Sequence, residues 1–337
     1  MTRAVFDELL AQRPWLLADG ATGTNLFDRG LMSGDAPELW NEQHPERIED
    51  LHRGFVEAGA DLILTNSFGG NRYRLKLHQA EARAAGINRL AAEIARRIAD
   101  AADRPVVVAG SMGPTGEIFQ PIGSLSHADG VAAFAEQALA LKTGGADVLW
   151  IETISSQEEL SAAVEGAAAA KLPIVVTMSF DTNGRTMMGI TPPAFGELAR
   201  ALPVQPAAIG ANCGTGASEL IATVAGIAEA RPDAVIVAKG NCGIPQYHEG
   251  HIHYSGTPEL MAEYARMALD AGARIIGGCC GTTAEHLRAM RQALETHVKR
   301  PRPTIADIEA RLGPVSALAH GRNAAADAAR DRRRRRA

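Results

Sequence analysis

Asp270-Ala271-Gly272-Ala273-Arg274-Ile275-Ile276-Gly277-Gly278-Cys279-Cys280-Gly281-Thr282-Thr283 contains a helix end, a strand and a functional turn in one run. Glycine at position 272 suits the C-cap that stops a helix. Ala273 to Ile276 reads as a short strand, and the turn after it holds two of the chain's four cysteines side by side. Consecutive strand residues point to opposite faces, so two thiolates that meet one target must sit on a turn. The flanking glycines permit that backbone. A disulfide between neighbours would be strained, and a shared metal explains the pair better. Two ligands do not hold a zinc ion, so a third soft ligand must come from elsewhere. Cys213, in Gly210-Ala211-Asn212-Cys213-Gly214-Thr215-Gly216, has the same context of short strand, cysteine and glycine.

Outward from this stretch, the joint of helix end, glycine and strand recurs at Glu57-Ala58-Gly59-Ala60-Asp61 and Thr143-Gly144-Gly145-Ala146-Asp147. Eight strand-like segments follow in order: Trp15 to Ala18, Asp61 to Leu64, Val106 to Ala109, Val148 to Ile151, Ile174 to Met178, Ala207 to Gly210, Ala234 to Ala238 and Ala273 to Ile276. Helical sequence separates them, and the part ending at Ala101 reads as two helices interrupted at Gly86. Short β-branched runs are typical of parallel strands covered on both faces. Eight alternations predict an α/β fold, a closed (β/α)8 TIM barrel, over an open doubly wound sheet. The barrel is expected over residues 1–300. Residues 301–337 form an extension with one more helix, Thr304 to Leu312, and a basic, disordered end that closes on Arg332 to Arg336.

Composition sets bounds on function. The chain has 337 residues, 46% of them hydrophobic and 22% charged, as in an ordinary soluble globule. A net charge of −5 gives no argument for nucleic acid. No apolar run is long enough to span a membrane, and the N-terminus lacks the apolar core of a signal peptide. The expected home is the cytoplasm, where thiols stay reduced and clustered cysteines mean metal or catalysis more often than disulfides.

Asp19, Asn66, Glu152, Cys213, Asn241, Cys279 and Cys280 all lie just after a predicted strand. In a barrel those positions converge on the C-terminal face, where active sites are built. Thiolate clusters select soft or borderline metals, and three protein ligands leave a fourth position open. Asp19 and Glu152 could bind an ammonium group at the rim, or serve as helix-dipole partners. Cys242 reads equally as an inert core residue. The tract Tyr247-His248-Glu249-Gly250-His251-Ile252-His253 looks metal-binding, but its place in a long polar loop argues against a zinc role.

Asp19-Gly20-Ala21-Thr22-Gly23-Thr24, Gly59-Ala60-Asp61 with Thr65-Asn66-Ser67-Phe68, Gly110-Ser111-Met112-Gly113-Pro114, Glu152-Thr153, Asn212-Cys213 and Gly277-Gly278-Cys279-Cys280-Gly281 resemble the homocysteine S-methyltransferase family. The resemblance covers roughly residues 13 to 297. It implies a (β/α)8 barrel, a Zn2+ ion held by Cys213, Cys279 and Cys280, and methyl transfer to homocysteine to form methionine. By the same resemblance Asp19 and Glu152 hold the homocysteine ammonium, backbone amides near Gly20 receive its carboxylate, and Asn66 joins the substrate-binding set. Asn241 matches a family asparagine that can fill the fourth zinc position before substrate arrives. Gly240 and Cys242 depart from the family's usual proline and small residue, so Cys242 could compete as a ligand. Zinc suits the chemistry: a free thiol titrates near about 8.5, and coordination deprotonates it.

The methyl donor is expected to be betaine or a methylcorrinoid protein supplied in trans. In betaine enzymes an aromatic residue follows the glutamate that matches Glu152; here it is Thr153. Trp40 and Tyr73 are the cage candidates for a quaternary ammonium, and aromatic content is 4%. This reading favours methylcobalamin over betaine. A different class of function is a non-catalytic zinc barrel acting as subunit or sensor in a methyl-transfer assembly. A homo-oligomer is compatible with either reading.

Overall fold

The computed structural model describes residues 5–243, 245–248 and 251–316. Its strands are β1 (Leu16–Leu17), β2 (Leu62–Leu64), β3 (Val107–Met112), β4 (Val148–Ile154), β5 (Ile174–Met178), β6 (Ala208–Cys213), β7 (Ile236–Gly240), β8 (Pro245–His248), β9 (His251–Tyr254) and β10 (Ala273–Gly278). Eight of them form one parallel sheet in the order β1-β10-β7-β6-β5-β4-β3-β2. A parallel bridge from Ala18 to Leu62 joins the two end strands. The sheet is thereby closed into the (β/α)8 barrel that the eight alternations predict.

Side-chain alternation divides the apolar residues between two cores. Leu16, Ala18, Leu62, Leu64, Val107, Ala109, Val148, Trp150, Val175, Ala208, Val237 and Ile275 pack together inside the barrel. Their chain neighbours Leu17, Ile63, Val108, Leu149, Val176, Ile209, Ala238 and Ile276 belong to the outer core, with helix residues such as Ile94, Leu141 and Val164. A one-residue slip would exchange the two faces, so register is strongly specified.

The recurring joint has a structural reason. Gly59, Gly145 and Gly272 all have φ between +101 and +115°, the left-handed turn that only glycine makes without strain. Asp61, two residues after the first, accepts the Leu17 amide at 2.9 Å and pairs with Arg13 and Arg291. Asp147 repeats this, accepting the Val108 amide at 2.8 Å and pairing with Arg96. At the third joint Arg274 donates instead to the carbonyls of Leu10 and Arg13. Each joint thus ties its strand to a neighbouring segment.

Three local readings change. Gly86 does not interrupt a helix: it lies in Ala84–Asp100, and the break falls earlier, between Arg72–Lys76 and the short turn Glu81–Arg83. A glycine inside a helix costs about 1 kcal/mol, and burial of Ile87, Ala91, Ile94 and Ile98 offsets it. The expected polar loop after Cys242 contains the antiparallel hairpin β8–β9. An additional helix, Val5–Gln12, sends Phe6, Leu9 and Leu10 into the inner core, against the strand starts.

Beyond residue 300 the helix Ile305–Leu312 forms as predicted, with a capping box between Thr304 and Asp307. Its Ile308 is fully buried, and Ser218 fixes the following turn through the Pro314 carbonyl at 2.9 Å. The arginine run lies outside the described residues. Among the described residues no helix is long and apolar enough to cross a membrane.

Phe6 tests how much the N-terminal helix contributes. Phe6→Ala should destabilise the protein by about 3–5 kcal/mol in urea unfolding, the usual cost of emptying a buried phenylalanine site. A loss below about 1 kcal/mol would show that the helix does not close the core.

Candidate functional site

The parallel register places the cysteines. Cys213 on β6 pairs with Gly240 on β7, and Gly240 also pairs with Gly278 on β10. Cys213 and the Cys279-Cys280 turn therefore flank one residue from opposite sides. Their three sulfur atoms lie within 4.8 Å of one another, with Cys213 and Cys280 at 3.9 Å. Tetrahedral zinc with Zn–S bonds of about 2.3 Å needs sulfurs about 3.8 Å apart, a spacing that Cys213 and Cys280 already have. Packed as thiols, the three resist ionisation. Cys213 chiefly pushes Cys279 upward, with burial added. For Cys213 and Cys280 one cysteine partner eases ionisation, but the other and burial outweigh it and raise each to about 12. A divalent cation among them would reverse that balance.

The backbone around the cluster is held in place. Cys213 has φ +61° and Gly281 φ +78°, turning the thiols out of the strand direction. The Cys279 amide donates to the Gly240 carbonyl at 2.7 Å. Asn212 links three strands and the cysteine turn: its oxygen accepts the Thr153 amide and the Thr177 hydroxyl, while its amide nitrogen donates to Thr153 Oγ1 and to Cys279 Sγ at 3.9 Å. Tyr254 stands on the cavity wall with Cys280. Asn241 braces the cysteine turn, donating to the Gly214 carbonyl at 2.7 Å and accepting the Cys280 amide at 3.1 Å. Cys242 stands outside the sulfur cluster. It is fully buried, and burial pushes its thiol up to about 12.

The carboxylates are placed differently from each other. Glu152 borders the cavity that also contains Gly20, Cys213, Cys279 and Cys280. It accepts the Ser111 hydroxyl at 2.5 Å. Burial raises its pKa against the opposing pull of Lys239 and Ser111. Asp19 is fully buried; Lys239 Nζ reaches its Oδ1 at 2.5 Å and the Leu64 amide donates to its Oδ2 at 2.7 Å. Burial works against the charge on Lys239, but Asp19 and Glu152 outweigh it and lift its pKa above the ordinary lysine value. The sequence reading passed over Lys239. The available signal was parity: it lies two residues after the inward Val237, in a strand otherwise apolar.

Asn66 borders the cavity, yet its amide nitrogen is committed to the Pro37 carbonyl at 2.7 Å and to Asn41 at 3.1 Å. Gly20 is required by close approach, since a Cβ there would stand 2.5 Å from the Thr282 carbonyl. The cavity holds about 470 Å³. The expected cage residues do not line it. Trp40 is buried under the Arg47 guanidinium, 4.8 Å from the ring centre, and Tyr73 lines a separate surface pocket with Arg72 and Glu136. Phe27, Phe68 and Tyr254 border the cavity instead. Phe68 lies in the loop after β2, Phe27 at the end of the short helix Gly23–Phe27 and Tyr254 at the end of the hairpin strand β9, and the barrel repeat marks none of them. The side chains of His248, His251 and His253 lie outside the described residues.

Residues 16–294 match the family described as homocysteine S-methyltransferase. The methionine synthase of Mycobacterium leprae is 33% identical over 303 residues, 85% of this chain and 25% of that protein. The Mycobacterium tuberculosis methionine synthase is 32% identical over 314 residues, 87% of this chain and 26% of that protein. The chain thus spans about a quarter of the length of these relatives. Among solved structures, the homocysteine methyltransferase MmuM of Escherichia coli, in oxidised and metallated forms, superposes with a TM-score of 0.71 at 25% identity. That likeness covers 86% of this chain and 99% of MmuM. With the sequence match running from the first barrel strand into the helix after the last, the chain belongs to the homocysteine S-methyltransferase family.

Proposed function

We propose that this chain transfers a methyl group to the thiol of homocysteine, with Zn2+ held by Cys213, Cys279 and Cys280. The observation that carries the reading is the three-sulfur cluster opening into the same cavity as Glu152. Bound there, zinc supplies the Lewis acidity that keeps an incoming thiol deprotonated at neutral pH. Glu152, oriented by Ser111, accepts the substrate ammonium, and the turn at Gly20 faces its carboxylate. Asn212 and Asn241 hold the cysteine loops in register, so the thiol group is delivered to a preformed site. Turnover of homocysteine with any donor would eliminate the non-catalytic reading.

The donor follows from the cavity. An aromatic shortage favours a corrinoid only if the rim lacks aromatic rings, and Phe27, Phe68 and Tyr254 border this one. Aromatic faces suit a methyl-onium group such as that of betaine, at up to about 2 kcal/mol per desolvated contact. A space of about 470 Å³ takes homocysteine and a small donor together. The likeness to methionine synthases keeps a methylcorrinoid supplied in trans as the second reading. Side-by-side turnover of betaine, S-methylmethionine and methylcobalamin, the last with and without a corrinoid protein, decides between them. We expect a small onium donor to be used; turnover with methylcobalamin alone would reverse the assignment.

Two substitutions test the site. Cys279→Ala should abolish zinc binding and activity together while the far-ultraviolet circular dichroism stays unchanged, whereas Cys242→Ala should keep its zinc. Full zinc content in Cys279→Ala would refute the ligand set. Glu152→Gln should keep zinc but weaken homocysteine binding by about 2–5 kcal/mol, the range for truncating a buried charged partner. Unchanged affinity by calorimetry would leave Glu152 only a structural role.

A further inference from the structure

Lys239 is 2% exposed and sits on the inner face of β7, one step above Val237 and the apolar barrel interior. A lysine is almost never so buried unless paired. Its Nζ contacts Asp19 Oδ1 at 2.5 Å and the Asp19 carbonyl at 3.3 Å, and stands 5.9 Å from the centre of the Trp150 ring. The Leu64 amide takes the other Asp19 oxygen. Both carboxylate oxygens are therefore engaged within the protein. Asp19 does not border the cavity, whereas Lys239 and Glu152 do.

We propose that Lys239 is a positioning residue of the amino-acid subsite: it holds Asp19 as an internal ion pair and leaves Glu152 to face the substrate ammonium. The inference rests on homocysteine being the amino acid bound. Its physical content is a division of charge. Lys239 and Glu152 border the same cavity, and their opposite charges attract each other there. While Asp19 anchors the lysine, Glu152 keeps its negative charge for the substrate. Remove Asp19's charge, and the lysine turns to Glu152 and competes with the substrate ammonium. In this chain Asp19 thus acts on homocysteine through Lys239 and not by direct contact.

The arrangement makes a rescue experiment decisive. Homocysteine affinity is measured by calorimetry on zinc-loaded full-length protein, with zinc content and circular dichroism recorded for each variant. Asp19→Asn should weaken binding by about tenfold or more, the equivalent of about 1.4 kcal/mol. Adding Lys239→Met should restore affinity to within about threefold of wild type, because Glu152 is released. The double variant removes both charges of the pair, a replacement that buried ion pairs commonly tolerate. If Asp19→Asn alone does not fold, the double variant decides against wild type by the same threefold limit. A double variant as weak as Asp19→Asn, or Asp19→Asn with full affinity, overturns the proposal. Wild-type protein that binds no homocysteine overturns the functional reading and this one with it; binding without rescue overturns this one alone.

Discussion

The ladder on either side of Gly240 sets the geometry on which the site depends. Hydrogen bonding of β7 to β6 and to β10 brings Cys213 and Gly278 level with that one residue. Thiols from positions 213, 279 and 280 can then meet. Gly240 itself has little freedom to change. Its amide donates to the Tyr264 hydroxyl at 2.9 Å, and a Cβ would stand 2.9 Å from the Tyr264 ring. A proline here would lose that hydrogen bond. Glycine in place of the family's usual proline is thus matched by a buried tyrosine on the helix Pro258–Ala271.

The same alternation that builds the core also stacks the polar groups. Trp150 fills the barrel interior and Glu152 stands one step above it; Val237 fills it and Lys239 stands one step above. Burying three thiols, two carboxylates and an ammonium in one barrel mouth is costly unless the charges are paired. The pairing seen is local: Lys239 with Asp19, and Glu152 with the Ser111 hydroxyl. The thiols contact one another and the Asn212 amide, and as thiolates they would need the compensating charge that a divalent metal supplies.

Much of this was legible in the sequence because it repeats with the fold. Glycine joints at 59, 145 and 272, strand lengths and the placement of cysteines after strands all follow from backbone constraints that act over a few residues. What was not legible depends on distance in the chain. Asp19 meets Lys239 across 220 positions, and nothing local marks the pair. Asn66 looks like a site residue by position, but its partners, Pro37 and Asn41, lie in the preceding connection. Trp40 and Tyr73 were candidates by residue type alone, and packing assigns them elsewhere. Phe27 and Phe68 reach the cavity from the short helix Gly23–Phe27 and from the loop after β2, whose course no periodicity reports.

The central claim is that three cysteine sulfurs hold zinc with one position left for the substrate thiol. Zinc-edge X-ray absorption on the zinc-loaded full chain, before and after homocysteine is added, tests it most directly. Three sulfur neighbours at about 2.3 Å and one lighter atom should be present at first, becoming four sulfurs with homocysteine. Two or fewer sulfurs at the outset, or a shell that homocysteine leaves unchanged, would contradict the account.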